Sequence, residues 1–203
     1  MLGEQLAFLK GENDVIVLGI PRGGIIVARE VADAIGAPLD LIIARKLGAP
    51  GNSELAVGAV TQDGEMIVDR EIVKSLGVSH DYLRLEGEKV GAEIARRLLS
   101  YRGDRPYPRL EGRTVVVVDD GIATGSTVRA AVQSVRMRGA KSVILAVPVG
   151  PRETLSELAR TTDRVICLSS PEPFFAIGEF YRDFEQVDDE TVRQALRGPT
   201  NQL

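Results

Sequence analysis

Four valines in a row, Val115 to Val118, followed at once by Asp119 and Asp120, constrain this chain more than any other stretch. A run with no polar position describes a strand buried on both faces, and such strands belong to parallel sheets covered by helices. The two acids then mark the carboxyl end of the strand, where an open parallel sheet keeps its ligand crevice. Gly121 to Thr127 continue as GIATGST, small residues that bring several main-chain N–H groups close to one anion before a helix begins. Carboxylates suit hydroxyls or a metal ion, and amides suit a phosphate. An apolar strand ending in an acidic turn with a Ser or Thr cap also arises for purely architectural reasons. The cost of two adjacent charges at a buried strand end favours a bound partner.

Composition narrows the class. With 203 residues, 44% hydrophobic and 27% charged, there is apolar matter for one sizeable core and no sign of a disordered or disulfide-stapled chain. A net charge of −4 argues against a generally basic surface, so no nucleic-acid partner is expected. Cys167 is the only cysteine and sits in an apolar run, which predicts a buried thiol and fits a reducing cytoplasm. No apolar stretch approaches the ~20 residues needed to span a bilayer, and the first residues lack a signal-peptide core. A cytoplasmic protein without a membrane partner is therefore expected.

The rest of the chain alternates strand and helix. Leu2, Leu6, Ala7 and Leu9 suit a short opening helix, and Val15 to Ile20 a buried strand running into Pro21-Arg22-Gly23-Gly24. The spacing of Ile25 to Ile35 predicts a helix ended by Gly36. PRGG reads either as a tight turn with a surface arginine or as a holder for diphosphate through Arg22 and the Gly23 and Gly24 amides. Leu39 to Ala44 predicts the second strand, and the adjacent Arg45-Lys46 is either a solvated strand end or an anion contact. Residues 47–68 are too rich in glycine and proline for a helix and long for a connection, so a functional loop is expected. Within it, Val57 to Thr61 and Glu65 to Val68 suit a hairpin around Asp63-Gly64, and Glu54 has no assigned role. Ser79 caps a long helix whose basic end includes Arg96, Arg97 and Arg102. After the central motif, helix, strand, helix and strand follow to Leu168, and the alternation predicts a parallel sheet with helices on both faces. Ser169 to Phe184, SSPEPFFAIGEFYRDF, gathers most of the phenylalanines and reads as a satellite core or as a cover for a flat ligand.

The string VVVVDDGIATGST resembles the phosphoribosyl-pyrophosphate motif of the type I phosphoribosyltransferases. The resemblance implies an α/β fold, an open parallel sheet flanked by helices on both faces with a flexible loop and a small C-terminal hood. It would form one domain over residues 1–203, with a core at 12–168, the loop at 47–68 and the hood at 169–203. It implies that Asp119 and Asp120 reach the ribose hydroxyls, directly or through Mg²⁺, and that Ala123, Thr124, Gly125, Ser126 and Thr127 cradle the 5′-phosphate. PRGG is similar to the family's pyrophosphate loop, in which a non-proline cis peptide often occurs, and Arg45-Lys46 look like the residues that neutralise pyrophosphate. Phe174 or Phe175 would stack on the base. In Tyr181-Arg182-Asp183-Phe184 the resemblance places Arg182 on pyrophosphate and Asp183 near the metal.

The implied reaction displaces pyrophosphate from phosphoribosyl pyrophosphate with a small nitrogen heterocycle. Arg22, Lys46, Asp119, Asp120 and Arg182 are then the catalytic group, with Mg²⁺ as cofactor. One departure stands out: several purine enzymes of the family have an acid in the phosphate loop where this chain has Ala123, so the acceptor and the general base are unassigned. The alternative is a regulator that binds phosphoribosyl pyrophosphate or a nucleotide without turnover. A dinucleotide-binding protein is remote, because no G-x-G-x-x-G follows the first strand. A homodimer is compatible with the chain.

Overall fold

The computed structural model describes residues 1–197, apart from the side chains of Ser53 and Glu54. The end of the expected hood, residues 198–203, and the Glu54 carboxylate therefore lie outside the described residues. The opening segment is α1 (Leu2–Gln5) and a 3-10 turn at Ala7–Leu9. Then come β1 (Val15–Gly19), α2 (Gly23–Ile35) and β2 (Leu39–Leu41). Three strands follow, β3 (Ala44–Ala49), β4 (Asn52–Thr61) and β5 (Met66–Val68), before α3 (Arg70–Ser75) and α4 (His80–Arg102). The second half runs β6 (Thr114–Val118), α5 (Ser126–Met137), β7 (Ser142–Val149), α6 (Arg152–Leu158), β8 (Arg164–Ser169) and α7 (Asp189–Arg197).

Five strands make a parallel sheet in the order β2-β1-β6-β7-β8. All four valines of β6 are fully buried, and pleating divides them. Val115 and Val117 pack with α5 and α6 residues such as Val128, Val132 and Leu158. Val116 and Val118 pack on the other face with Leu6 and with Val31 and Ile35 of α2. The two faces of one strand thus anchor two cores, each buried valine contributing about 1.5–3 kcal/mol of transfer free energy. Helix α2 ends as expected at Gly36, whose φ of 72° is the left-handed turn glycine adopts without a Cβ clash.

Residues 44–68 depart from the expected irregular loop. They form an antiparallel sheet of order β3-β4-β5, and Arg45 and Lys46 lie within its first strand, opposite Val60 and Ala59. The expected second parallel strand stops at Leu41, because the chain leaves the main sheet to begin this one. The glycines that argued against regular structure have strand roles instead. Gly48 sits at a register shift in β3, and a Cβ on Gly58 would overlap the Ile67 carbonyl across the hairpin. The hairpin around Asp63-Gly64 forms, pairing Gly58 with Val68 and Val60 with Met66. This sheet closes a third core with α4, in which Leu47, Val57, Leu83 and Ile94 meet Val192 and Leu196 of α7. Cys167 is a second departure: half exposed, its thiol donates to the Ser169 carbonyl at 3.1 Å. β8 lies at the edge of the sheet, so its side chains receive less cover than those of β6.

Candidate functional site at the carboxyl edge of the sheet

Strands β1 and β6 are neighbours in register, Gly19 opposite Val118, so the segments that follow them emerge side by side. The Ile20 amide still donates to the Val118 carbonyl at 2.9 Å before the chains diverge. One segment is Pro21-Arg22-Gly23-Gly24, whose Pro21–Arg22 peptide is cis; the other is Asp119-Asp120-Gly121. They touch through the glycines. A Cβ on Gly23 would overlap the Asp120 carboxylate, and one on Gly24 would stand 2.8 Å from Asp119 Oδ1 and 3.0 Å from the Val118 carbonyl. Only residues without a side chain let the arginine loop lie against the acids.

The acids carry opposed demands. Asp119 Oδ1 accepts from the Asp120 amide at 2.9 Å. Burial, then the neighbouring Asp120 charge, pushes the Asp119 carboxyl well above the usual carboxylate range. Asp120 is raised too, chiefly by burial. No Lys or Arg among the described residues forms an ion pair with either acid within 4.0 Å. Such a pair is poised for hydroxyl donors or a cation that would restore the lost solvation.

Beyond the acids, the Ile122 side chain is buried and its amide donates to the Val149 carbonyl at 2.9 Å, which pins the turn to the adjacent strand. Thr154 Oγ1 donates to the Ala123 carbonyl at 3.0 Å. Gly125, with φ of 73°, turns the chain into α5, whose first amides have no partner within the helix. Thr124 and Ser126 hydroxyls lie 3.3 Å apart beside them. The turn thus forms a concavity at the start of a twelve-residue helix, a geometry whose free amides suit an anion.

Three cavities open here. One of about 210 Å³ is lined by Asp119, Asp120, the turn from Ala123 to Thr127, and Ile177. A second, about 390 Å³, lies between that turn and Pro21, Arg45, Lys46 and Arg97. The third, about 570 Å³, is bounded by Arg22, Gly23, Asp120, Tyr181, Asp183 and Phe184. Asp119, Asp120, Ala123 to Thr127, Arg22, Gly23, Arg45, Lys46 and Asp183 are thus brought to one edge, and Gly24 supports them from beneath. Arg182 is exposed and lines none of the three. Phe175 is 77% exposed, and Phe174 stacks on Phe180 at 5.5 Å between ring centroids, also outside the cavities.

The hood reaches the site through other residues. Tyr181 donates its hydroxyl to the Asp120 carbonyl at 2.5 Å, and burial, then the Asp120 and Asp119 charges, pushes this phenol up to about 12. A Cβ on Gly121 would come within 2.6 Å of Ile177, so the hood rests directly on the acidic turn. Sequence reasoning missed Ile177 and the position of Arg97, whose sole outward signal was Glu93 four residues earlier on the helix. It also missed Asp189, whose Oδ1 accepts from Tyr101 at 2.7 Å and lies 4.0 Å from Arg22 Nη1.

For a metal, no three His, Cys, Asp or Glu side chains among the described residues gather into a ready-made cage. Mg²⁺ is commonly held by one or two carboxylates with substrate oxygens and water completing its shell, and Asp120 and Asp183 on one cavity wall fit that donor set.

A parallel sheet of this order, with adjacent acids on a phosphate-type turn and a cis-peptide loop beside them, defines the type I phosphoribosyltransferase fold. The chain belongs to the phosphoribosyl transferase domain family, whose model matches residues 4–184. It is 44% identical over 191 residues to candidate phosphoribosyl transferases of two Mycobacterium tuberculosis strains, MT0597 and Rv0571c. That match takes in 94% of this chain but 43% of those proteins, so the chain spans less than half the length of these curated relatives. The bifunctional protein PyrR of Streptomyces coelicolor is 31% identical over 150 residues, 71% of this chain and 58% of that protein. The crystal structure of TT1426 from Thermus thermophilus superposes with a TM-score of 0.85 at 41% identity, covering 96% of this chain and 92% of that one.

Proposed function

We propose that this chain is a phosphoribosyltransferase that displaces pyrophosphate from C1 of phosphoribosyl pyrophosphate with a ring nitrogen of a small heterocycle. The observation that carries the reading is the convergence of three chemistries on one sheet edge: paired acids, an amide-rich turn, and a cation-lined cavity on the other side of that turn. Asp119 and Asp120 accept from the ribose hydroxyls, and the turn from Ala123 to Thr127 donates to the 5′-phosphate. As the C1–O bond lengthens, positive charge grows on the sugar and negative charge on the departing diphosphate. Arg22, Arg45 and Lys46 meet that negative charge, which is electrostatic stabilisation of the leaving group by preorganised donors. No covalent nucleophile is needed. Mg²⁺, held by Asp120 and Asp183 with the donor's own oxygens, would supply further charge neutralisation to the leaving group. Arg182 and the Phe174–Phe175 face of the hood reach the site by hood closure over donor and acceptor. The unpaired Cys167 is compatible with the cytoplasmic setting proposed for the reaction.

The second reading, binding without turnover, is favoured by Ala123, which leaves the phosphate loop without an acid to act on the base. One experiment separates the two: incubation with phosphoribosyl pyrophosphate, Mg²⁺ and a panel of purines, pyrimidines and smaller azoles, following pyrophosphate release. Release with one acceptor supports transfer and names the acceptor class. Saturable donor binding with no release across the panel supports the regulator. Asp119→Asn with Asp120→Asn should weaken donor binding while the fold largely persists; unchanged affinity would remove both acids from the site.

A further inference from the structure

We infer that Arg97, from the long helix α4, is a further cationic contact of the diphosphate subsite beside Arg22, Arg45 and Lys46, positioned there by Glu93. Arg97 lies far in sequence from every site motif, at a place where a basic residue near a helix end needs no function. Its surroundings say more. It lines the 390 Å³ cavity together with Arg45, Lys46 and the Thr124, Ser126 and Thr127 end of the phosphate turn. Its side chain is about one-third exposed (34%), so the guanidinium is neither buried in structure nor free on the surface.

Glu93 explains the placement. Its Oε1 accepts from Arg97 Nη2 at 3.0 Å, and the same oxygen accepts from Arg45 Nη1, which comes from β3. One carboxylate therefore ties the helix to the antiparallel sheet and holds two guanidinium groups beside one cavity. Burial opposes charge on Glu93, but the guanidinium of Arg45, then that of Arg97, holds its carboxyl below the usual range. Among the described residues, the guanidinium groups of Arg45 and Arg97 face the single carboxylate of Glu93. A guanidinium has five N–H donors, and each arginine spends one terminal nitrogen on Glu93, so donors remain for a second acceptor. If the pair were only a helix-surface salt bridge, Arg45 would not share the carboxylate and the cavity would not open between both arginines and the phosphate turn. The chemistry fits adjacent phosphoryl groups, whose several oxyanions match planar, multidentate donors better than a single carboxylate does.

The identity of that anion as the donor's diphosphate rests on the proposed transferase reading; the anion subsite itself does not. The test is calorimetric titration of the full chain with inorganic pyrophosphate and, separately, with ribose 5-phosphate, using Arg97→Gln, Arg97→Lys and the exposed neighbour Arg96→Gln as a charge control. Arg97→Gln should weaken pyrophosphate binding about tenfold or more, while Arg96→Gln stays within about twofold, since only Arg97 would lose a charge-assisted hydrogen bond to the anion. Arg97→Lys should recover part of the loss, and it alone decides the matter if the glutamine variant does not fold. Ribose 5-phosphate, which lacks the diphosphate, should bind all folded variants alike. No pyrophosphate binding to the wild type, equal affinity in Arg97→Gln and Arg96→Gln, or equal loss of both ligands would overturn the inference. If no acceptor supports pyrophosphate release yet pyrophosphate binding depends on Arg97, the transferase reading fails and this one stands. If turnover occurs with a donor KM indifferent to Arg97→Gln, the reverse holds.

Discussion

Gly23 lies so close to Asp120 that a single methyl group on its Cα would overlap the carboxylate. The first helical residue after β1 is thereby packed against the second acid after β6, and any larger residue there would force that carboxylate aside. Gly23→Ala should displace the Asp120 side chain and weaken binding of phosphoribosyl pyrophosphate at least tenfold by calorimetry. The overpacking should also cost about 1–3 kcal/mol in urea unfolding. Gly24→Ala should cost more stability, because one of its close neighbours is the Val118 carbonyl, 3.0 Å away, and backbone does not yield as a side chain does.

Tyr181 ties the hood to the acidic turn by one hydrogen bond to the Asp120 carbonyl. Tyr181→Phe should lower stability by about 1 kcal/mol and speed hydrogen exchange in residues 169–187, leaving the phosphate turn protected. The folded phenol ionises only at about 12, above its ordinary value, so the hydroxyl keeps its proton and its bond at lower pH. The stability gap between wild type and variant should therefore stay constant from about pH 6 to pH 9, below the unfolded phenol's own titration. A gap that changed across that range would mean that the hydroxyl acts by some other route.

Arg102 and Asp40 form a buried ion pair at 3.0 Å, with side chains 7% and 16% exposed, and Arg102 also donates to the Pro106 carbonyl at 2.6 Å. Burial raises the Asp40 carboxyl although the Leu41 amide and the Arg102 charge pull it down, so the pair holds a group that is costly to bury. Asp40→Ala leaves the guanidinium without its counter-charge and should cost about 3–5 kcal/mol in urea unfolding. Arg102→Met together with Asp40→Leu should recover part of that loss. Donor affinity of the folded fraction should not change in either variant, since neither residue lines the site cavities.

Asp163 accepts from the Val143 amide at 2.6 Å and from Arg136 Nη2 at 2.7 Å, joining the start of β7 to the turn before β8. The Val143 hydrogen bond first, then Arg136, holds its carboxyl below the ordinary range. A depressed folded value means that the contribution is present at neutral pH and is lost as pH falls through the folded-state titration. Asp163→Asn should therefore be less stable than wild type at pH 7 by about 0.5–1 kcal/mol, a figure kept small because the side chain is exposed to solvent. Urea unfolding as a function of pH should show the two proteins converging in acid; a gap that persists there would exclude the carboxylate's charge as its cause.

How much was legible in the sequence follows the range of the interactions. β6 and its acidic turn could be read directly, because burial on both faces demands apolar residues at every position and a turn onto an anion demands small ones. The helix ends at Ser79 and Gly36 were equally plain, since capping depends on neighbours a few residues away. Residues 44–68 were not, because glycines that break an isolated strand are tolerated, and at Gly58 required, once a paired strand crowds the backbone. Nor was α7, whose nine residues offer only Val192, Ala195 and Leu196 as apolar positions and gain a reason to be helical from the third core they join.

Local chemistry thus determined the family, the parallel sheet and the two halves of the phosphate-and-hydroxyl motif, since each depends on residues adjacent in the chain. The tertiary structure alone decided which distant groups stand beside them. In-register pairing of β1 with β6 set Gly23 against Asp120, and the antiparallel sheet carried Arg45 to Glu93 and Arg97. Those neighbours come from segments separated by tens of residues. Their meeting depends on how strands order themselves and how helices pack, and no spacing along the chain encodes that separately.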